Sequence, residues 1–249
     1  MYISPKKYIF EAKNMFIPIG DDQIQGGYKP YFSYAFIAFN VLVFLYQFSL
    51  GPEAGHQFVW DFGAIPSNIS NGHNYLTIFT SMFMHGGWMH LIGNMAFLWV
   101  FADNIEAVIG NVFFAVFYLL GGVAATLLHI VIDPLSQIPT VGASGAIAAV
   151  LGGYIVMFPS SKIKLLFVMF FRVFYWPAIA FLGIWIGQQL LNGFGTLGVK
   201  VNGGTAWWAH IGGFAFGALV GFYLRKHFNT PENFIGGVMP KIPGFSRRA

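Results

Sequence analysis

The sequence predicts an all-α membrane protein: a bundle of six membrane-spanning helices with an interfacial first loop. Three observations lead there. Of the 249 residues, 56% are hydrophobic and only 9% are charged, against about 25% charged in an ordinary soluble domain. The mean hydropathy is +0.63, and a soluble globule of this size could not hide that much apolar surface. Six apolar windows near the length of a bilayer span then recur along the chain.

The windows cover residues 31–50, 87–105, 112–131, 142–158, 177–194 and 206–224. Residues 1–29 hold Lys6, Lys7, Lys13, Asp21, Asp22 and Lys29 and no continuous apolar run. They read as a cytoplasmic tail and not as a cleavable signal peptide. The first window then serves as an uncleaved signal anchor. The six spans occupy a single membrane domain over 30–225, and 226–249 form a second cytoplasmic tail.

The connection 51–85 carries Glu53 and Asp61 but no Lys or Arg. Phe58, Trp60, Phe62, Ile65, Ile69, Tyr75, Phe79 and Phe83 make it far more apolar than a solvated loop. It reads as partly helical, lying at headgroup level, packed onto the bundle, or both. The fourth window is short and rich in small residues. Residues 165–176 are also apolar, but Lys162, Lys164 and Arg172 flank or interrupt them, so this stretch reads as an interfacial approach to the fifth span.

Orientation follows from the basic residues of the short connections. They fall in the N-terminal tail, between the fourth and fifth spans, and in the C-terminal tail, at Arg225, Lys226, Lys241, Arg247 and Arg248. The opposite connections hold only Lys200. An even number of spans places both termini in the cytoplasm. The net charge of +4 therefore marks topology and contact with anionic lipid, and no nucleic-acid partner is expected. The absence of cysteine excludes disulfides, thiolate metal sites and cysteine nucleophiles.

Ionisable groups inside spans are costly and point to function. No Asp or Glu falls in the middle of a window, which argues against a proton pump. Asp103 and Glu106 fall at the cytoplasmic end of the second window, where water is expected to reach them. His90, His129 and His210 lie in or beside windows, and His85 just before one. His129 has no evident partner and reads as structural or cavity-facing. Gln188 and Gln189 read as interhelical hydrogen-bonding groups or cavity lining near the fifth span.

Ser144 stands in Gly142-Ala143-Ser144-Gly145, where flanking glycines let another chain approach a hydroxyl. Alone, this reads more readily as helix packing than as catalysis. His210, early in the sixth span, adds weight. Small residues recur every four positions at Ser144, Ala148 and Gly152, and again at Gly213, Gly217 and Gly221. Four-residue spacing puts each ladder on one helix face. Packing the two faces together brings His210 within reach of Ser144, as a general base for a hydroxyl nucleophile. With no carboxylate placed to orient the imidazole, the pair is a dyad. His90 and Asn94 share a face near the same end and can both donate to a developing oxyanion. His85, five residues before His90, is not expected on that face. No metal is expected, since the histidine spacing is not a helical ligand pair and no acidic ligand accompanies it.

From residues 31 to 224 the chain resembles the rhomboid intramembrane serine proteases of the six-span bacterial type. His85, His90 and Asn94 match an HxxxxHxxxN motif, and Gly142-Ala143-Ser144-Gly145 matches GxSG. Ala209-His210 with Gly213 and Gly217 matches AHxxGxxxG, and Glu106 with Gly110 matches ExxxG. The resemblance implies Ser144 as nucleophile and His210 as base and then acid. It implies an oxyanion hole from the Ser144 N–H, His90 and Asn94, with Gly142 leaving space beside it. His85 would support the first loop, and Gly145, Gly213, Gly217 and Glu106 the scaffold. The fifth span and the connection 192–205 would be the lateral gate and its cap. Substrates would be single-pass transmembrane proteins, no cofactor is required, and the location would be a bacterial inner membrane. The alternative is a proteolytically inactive relative that binds and routes membrane clients. Two departures stand out. Tyr75-Leu76-Thr77 stands where some members carry a Trp-Arg pair in the first loop, and Ala148 where some carry a tyrosine that stacks on the catalytic imidazole.

Overall fold

The structure, a computed structural model, describes residues 16–22, 27–198 and 204–227. Most of the two expected tails, and Lys200, lie outside them. The order is β1 (Phe16–Gly20), α1 (Tyr31–Ser49), α2 (Gly51–Phe62), α3 (Pro66–Ser70), α4 (Thr77–Thr80), a 3-10 turn, α5 (Trp88–Ile109), α6 (Asn111–Ile132), α7 (Ser144–Met157), β2 (Lys162–Phe167), β3 (Arg172–Pro177), α8 (Ala178–Gly195) and α9 (Trp207–His227). The helices form a membrane bundle. Among the described residues α1, α5, α6 and α9 are long and apolar enough to cross a bilayer. The remaining windows become α7 and α8.

Helix α7 has 14 residues, about 21 Å at the usual rise, against a hydrocarbon core of roughly 30 Å. Its neighbours replace lipid as its surroundings: apart from Ser144 and Ile155, all its residues are buried. Small residues make that position possible. A Cβ on Gly217 would overlap the Ala149 carbonyl, one on Gly213 the Gly145 carbonyl, and one on Gly152 the Phe214 carbonyl. Backbone of α7 and α9 is thus in direct contact, as small-residue faces permit. Around them Leu98, Phe101, Ile105, Phe114, Tyr118, Leu151 and Tyr154 fill the core.

Two expectations need correction. Residues 165–176, expected as an interfacial approach with no secondary structure assigned, form strands, so the helical bundle carries one small sheet. Residues 162–177 fold as a β-hairpin that β1 extends to a three-stranded antiparallel sheet in the order β1-β2-β3. The alternation Lys162-Ile163-Lys164-Leu165 has a period of two, with Ile163 and Leu165 buried, and Val173-Phe174-Tyr175-Trp176 is rich in strand-forming residues. Glu106, expected in water, is wholly buried. Its carboxylate accepts from the Phe32 and Ser33 N–H groups at 2.8 and 2.7 Å, from Ser33 Oγ at 2.6 Å and from Asn111 Nδ2 at 2.6 Å. It supplies to the first turn of α1 the acceptor that Pro30 cannot offer, at the end where the helix dipole favours an anion.

The connection 51–85 divides in two. Helix α2 has no buried residue and stands on the periphery with Trp60 and Phe62 exposed. After it, Ala64, Ile69, Ile78 and Met82 pack with Ile130 as a satellite core. An isolated bridge joins Ala64 to Thr140.

Candidate active site

Ser144 is the first residue of α7, and its backbone N–H belongs to the opening turn, which has no intrahelical acceptor. His210 lies in the first turn of α9. The gap between Ser144 Oγ and His210 Nε2 is 2.9 Å, within hydrogen-bond reach. Both side chains are half-buried and face a cavity of about 1220 Å³. Its walls include His90, Asn94, Thr126, His129 and Thr140. It sits at the N-terminal end of α7, the end opposite the β-sheet.

The other face of the imidazole belongs to α8. Gln189 Oε1 is 2.8 Å from His210 Nδ1, and the amide is buried at 3% exposure. One turn earlier on α8, the Trp185 ring lies 5.7 Å from the imidazole and tilted 35° to it. Trp207 meets the ring edge-on at 6.4 Å. The tyrosine replaced by Ala148 therefore has a substitute, brought from a different helix. Sequence reasoning placed Gln189 near the cavity but missed its contact with His210. The available signal was a polar residue four positions from a tryptophan in an otherwise apolar span.

Gly142 has φ of +131°, a conformation L-residues rarely adopt. A Cβ there would come within 2.7 Å of the His90 ring and 3.6 Å of Asn94 Nδ2. Gly142, His90 and Asn94 therefore surround one small space beside Ser144. The Gly142 N–H is tied to the Ser81 carbonyl at 2.9 Å, which holds that loop in place.

His85 departs from its expected placing. The chain turns at Gly86-Gly87 before α5 begins, so the His85 and His90 rings lie 5.1 Å apart. His85 Nε2 is 2.8 Å from Asn94 Nδ2, and the Gln47 amide donates to the His85 carbonyl at 2.9 Å. Burial, with His90 adding to it, lowers the His85 pKa to about 3. The ring is neutral at physiological pH, so Nε2 accepts from the Asn94 amide and orients it. His85 thus supports Asn94 more directly than it supports the first loop.

Gly145 and Gly213 meet at the α7–α9 crossing, and a Cβ on Gly145 would also press on Ala125 at 2.7 Å. Glu106 and Gly110 lie at the far end of α5, away from the cavity. His129 borders the cavity, and its Nδ1 has no hydrogen-bond partner. No cluster of His, Cys, Asp or Glu suited to a metal occurs among the described residues.

A family model described as "Rhomboid domain" matches residues 72–227. "Rhomboid protein 1, mitochondrial" of Saccharomyces cerevisiae is 31% identical over 156 residues, which are 61% of this chain and 42% of that protein. "Rhomboid protease GluP" of Bacillus subtilis is 29% identical over 134 residues, 54% of this chain and 26% of that protein. "Inactive rhomboid protein 1" of Drosophila melanogaster is 30% identical over 125 residues, 50% of this chain and 8% of that protein. The chain thus spans less than half the length of these relatives.

Proposed function

The chain belongs to the rhomboid family, and from that premise we propose that it is an intramembrane serine endopeptidase using Ser144 and His210. The observation carrying the reading is the 2.9 Å approach of Ser144 Oγ to His210 Nε2 on the wall of a cavity that His90, Asn94 and Thr126 also line. Neutral Nε2 takes the hydroxyl proton as Oγ attacks the scissile carbonyl carbon. The tetrahedral oxyanion is stabilised by the Ser144 N–H and the side chains of His90 and Asn94. The imidazolium then gives its proton to the leaving amine nitrogen, leaving an acyl ester on Ser144. Water adds to that ester with His210 again as base, and a carboxylic acid product departs.

The substrates in this reading are single-pass transmembrane proteins, cut where the chain can unwind locally. A membrane segment reaches Ser144 laterally, past α8, and no metal or cofactor takes part. The distribution of Lys and Arg supports a multi-pass protein with both termini cytoplasmic, and the likeness to a bacterial protease supports a bacterial plasma membrane. The relatives include mitochondrial proteins as well as a bacterial protease. Reporter fusions to each terminus test the orientation.

An inactive member among the relatives supports a second reading, a client-binding protein without proteolysis. The experiment that separates them is cleavage of a single-pass reporter in liposomes by the wild type, Ser144→Ala and His210→Ala. Cleavage by the wild type alone establishes the dyad. Equal cleavage by all three removes it. If none cleaves, labelling by a serine-directed phosphonate probe decides: dependence on both residues keeps the protease, and its absence favours the client-binding protein.

A further inference from the structure

Resting on the protease reading, we infer that Gln189 is a positioning residue that fixes the His210 tautomer. The amide orientation is determined by its second contact. Gln189 Nε2 donates to the Trp185 carbonyl at 3.2 Å, which leaves Oε1 facing His210 Nδ1 at 2.8 Å. Turning the amide over would set oxygen against the Trp185 carbonyl oxygen and strand a donor. An oxygen beside Nδ1 accepts, so Nδ1 carries the ring proton. Nε2 is then a lone-pair acceptor facing Ser144 Oγ at 2.9 Å, the tautomer a general base requires. Helix α8 therefore does more than border the site. Gln189 and Trp185 hold the imidazole from one helix, so displacing α8 releases the base.

The test uses Gln189→Leu and Gln189→Glu in liposomes, together with ¹⁵N NMR of the histidine rings. Leucine removes the acceptor at similar volume, and kcat is expected to fall on the order of 10- to 100-fold, the range for losing an orienting partner of a histidine, with KM little changed. Glutamate restores an acceptor and is expected to return kcat to within a few-fold. The wild-type His210 resonances, assigned by their loss in His210→Asn, should show Nδ1 protonated and Nε2 bare, and Gln189→Leu should populate both tautomers. Unchanged kcat in Gln189→Leu, loss of kcat in both variants, or an Nε2-protonated wild type overturns the inference. The NMR readout does not depend on proteolysis, so it separates failure of this inference from failure of the protease reading.

A second observation stands apart from the protease reading. The β-sheet has two unlike faces. Cross-strand partners share a face, so Ile163, Leu165 and Phe167 lie with Trp176, Phe174, Phe16 and, at the turn end, Arg172, whose long side chain can carry its charge to the aqueous boundary. Ile163 and Leu165 of that face pack into the bundle core. Beyond them Phe16 stacks on Phe167 at 4.8 Å and meets Phe174 and Trp176 at 5.9 Å. Phe16, Phe174 and Trp176 remain more than a third exposed. The turn adds Phe170 and Phe171, 66% and 80% exposed. The opposite face carries Lys162, Lys164 and Tyr175 together with Ile17, Leu166 and Val173. Strand β3 runs through Pro177 directly into α8, whose first turn exposes Ile179.

We propose that this sheet lies on the bilayer, with its aromatic face and turn in the lipid of the leaflet nearest the basic connection and its lysine face in water. The occupant is lipid because the aromatic face continues the side packed on a membrane bundle and the exposed surface of a membrane helix. Aromatics at this depth and cations at the aqueous boundary are the usual interfacial arrangement. The absence of cysteine allows single labels. Phe174→Cys, Phe171→Cys and Tyr175→Cys are each labelled with an environment-sensitive fluorophore in liposomes. Labels at 171 and 174 should be quenched by nitroxide-bearing lipid and shielded from iodide, and the label at 175 the reverse. Iodide access at 174 equal to that at 175 overturns the proposal. So does shielding at 174 without lipid quenching, which would place protein over that face.

Discussion

Ser144 and His210 are 66 positions apart in sequence, yet Oγ and Nε2 lie 2.9 Å apart. The approach is produced by backbone contact between α7 and α9, which in turn needs glycine where the helices cross. Gly217 against the Ala149 carbonyl is the tightest such point. Gly217→Ala should therefore separate the two helices. Overpacking of this kind costs about 1–3 kcal/mol, read as a lower unfolding midpoint, and the wider gap should also reduce reporter cleavage. Gly183→Ala, on α8 with open space around it, is the control and should lower neither, since alanine in a helix interior is favoured over glycine.

His90, Asn94 and Gly142 enclose the space in which the proposed oxyanion forms. Asn94→Ala and His90→Ala each remove a donor and should lower kcat on the order of 10²–10³-fold while the protein stays folded. Gly142→Ala should lower it comparably, because its methyl group would occupy that space and the backbone there has φ of +131°. Steady-state kinetics on the reporter, beside circular dichroism of each variant, checks all three. Full activity in Asn94→Ala would remove it from the hole.

Glu106 accepts four hydrogen bonds that join α1 to α5 and α6. Glu106→Ala leaves buried donors without a partner and should cost about 2 kcal/mol or more. Glu106→Gln, which keeps one acceptor, should cost less. Both effects belong to stability, because the carboxylate is remote from the cavity, so kcat per folded molecule should be unchanged. Denaturant titration in detergent with parallel active-site titration separates the two quantities.

His85 supplies a pH signature. Its folded pKa of about 3 lies below the unfolded value near 6.5. Below pH 6.5 the unfolded chain binds the proton more readily, so this residue's contribution to stability falls with pH from about 6.5 down to about 3. At pH 5 the loss is about 2 kcal/mol. His85→Gln keeps a group able to accept from Asn94 and removes the titration. The wild type should therefore lose more stability than His85→Gln between pH 7 and pH 5, by about that amount. Parallel curves for the two proteins would show that the ring is not buried neutral.

Local chemistry made much of this protein legible in its sequence. Composition announced a membrane bundle, because lipid tolerates few charges. The four-residue spacing of small side chains announced the α7–α9 contact, because a helix puts residues i and i+4 on one face. The motifs around Ser144 and His210 then singled out one pair among many polar residues. What remained hidden depended on contacts between segments far apart in the chain. Gln189 meets His210 only because α8 leans on α9. His85 reaches Asn94 only because the chain turns at Gly86-Gly87. Glu106 is buried only because the start of α1 descends onto it. The hairpin was overlooked for a different reason: its period-two pattern is short, and strands need partners that a sequence does not display side by side. Helical periodicity is a property of one segment and can be read from it. The partner of a buried polar group is set by packing between segments, and only the tertiary structure decides it.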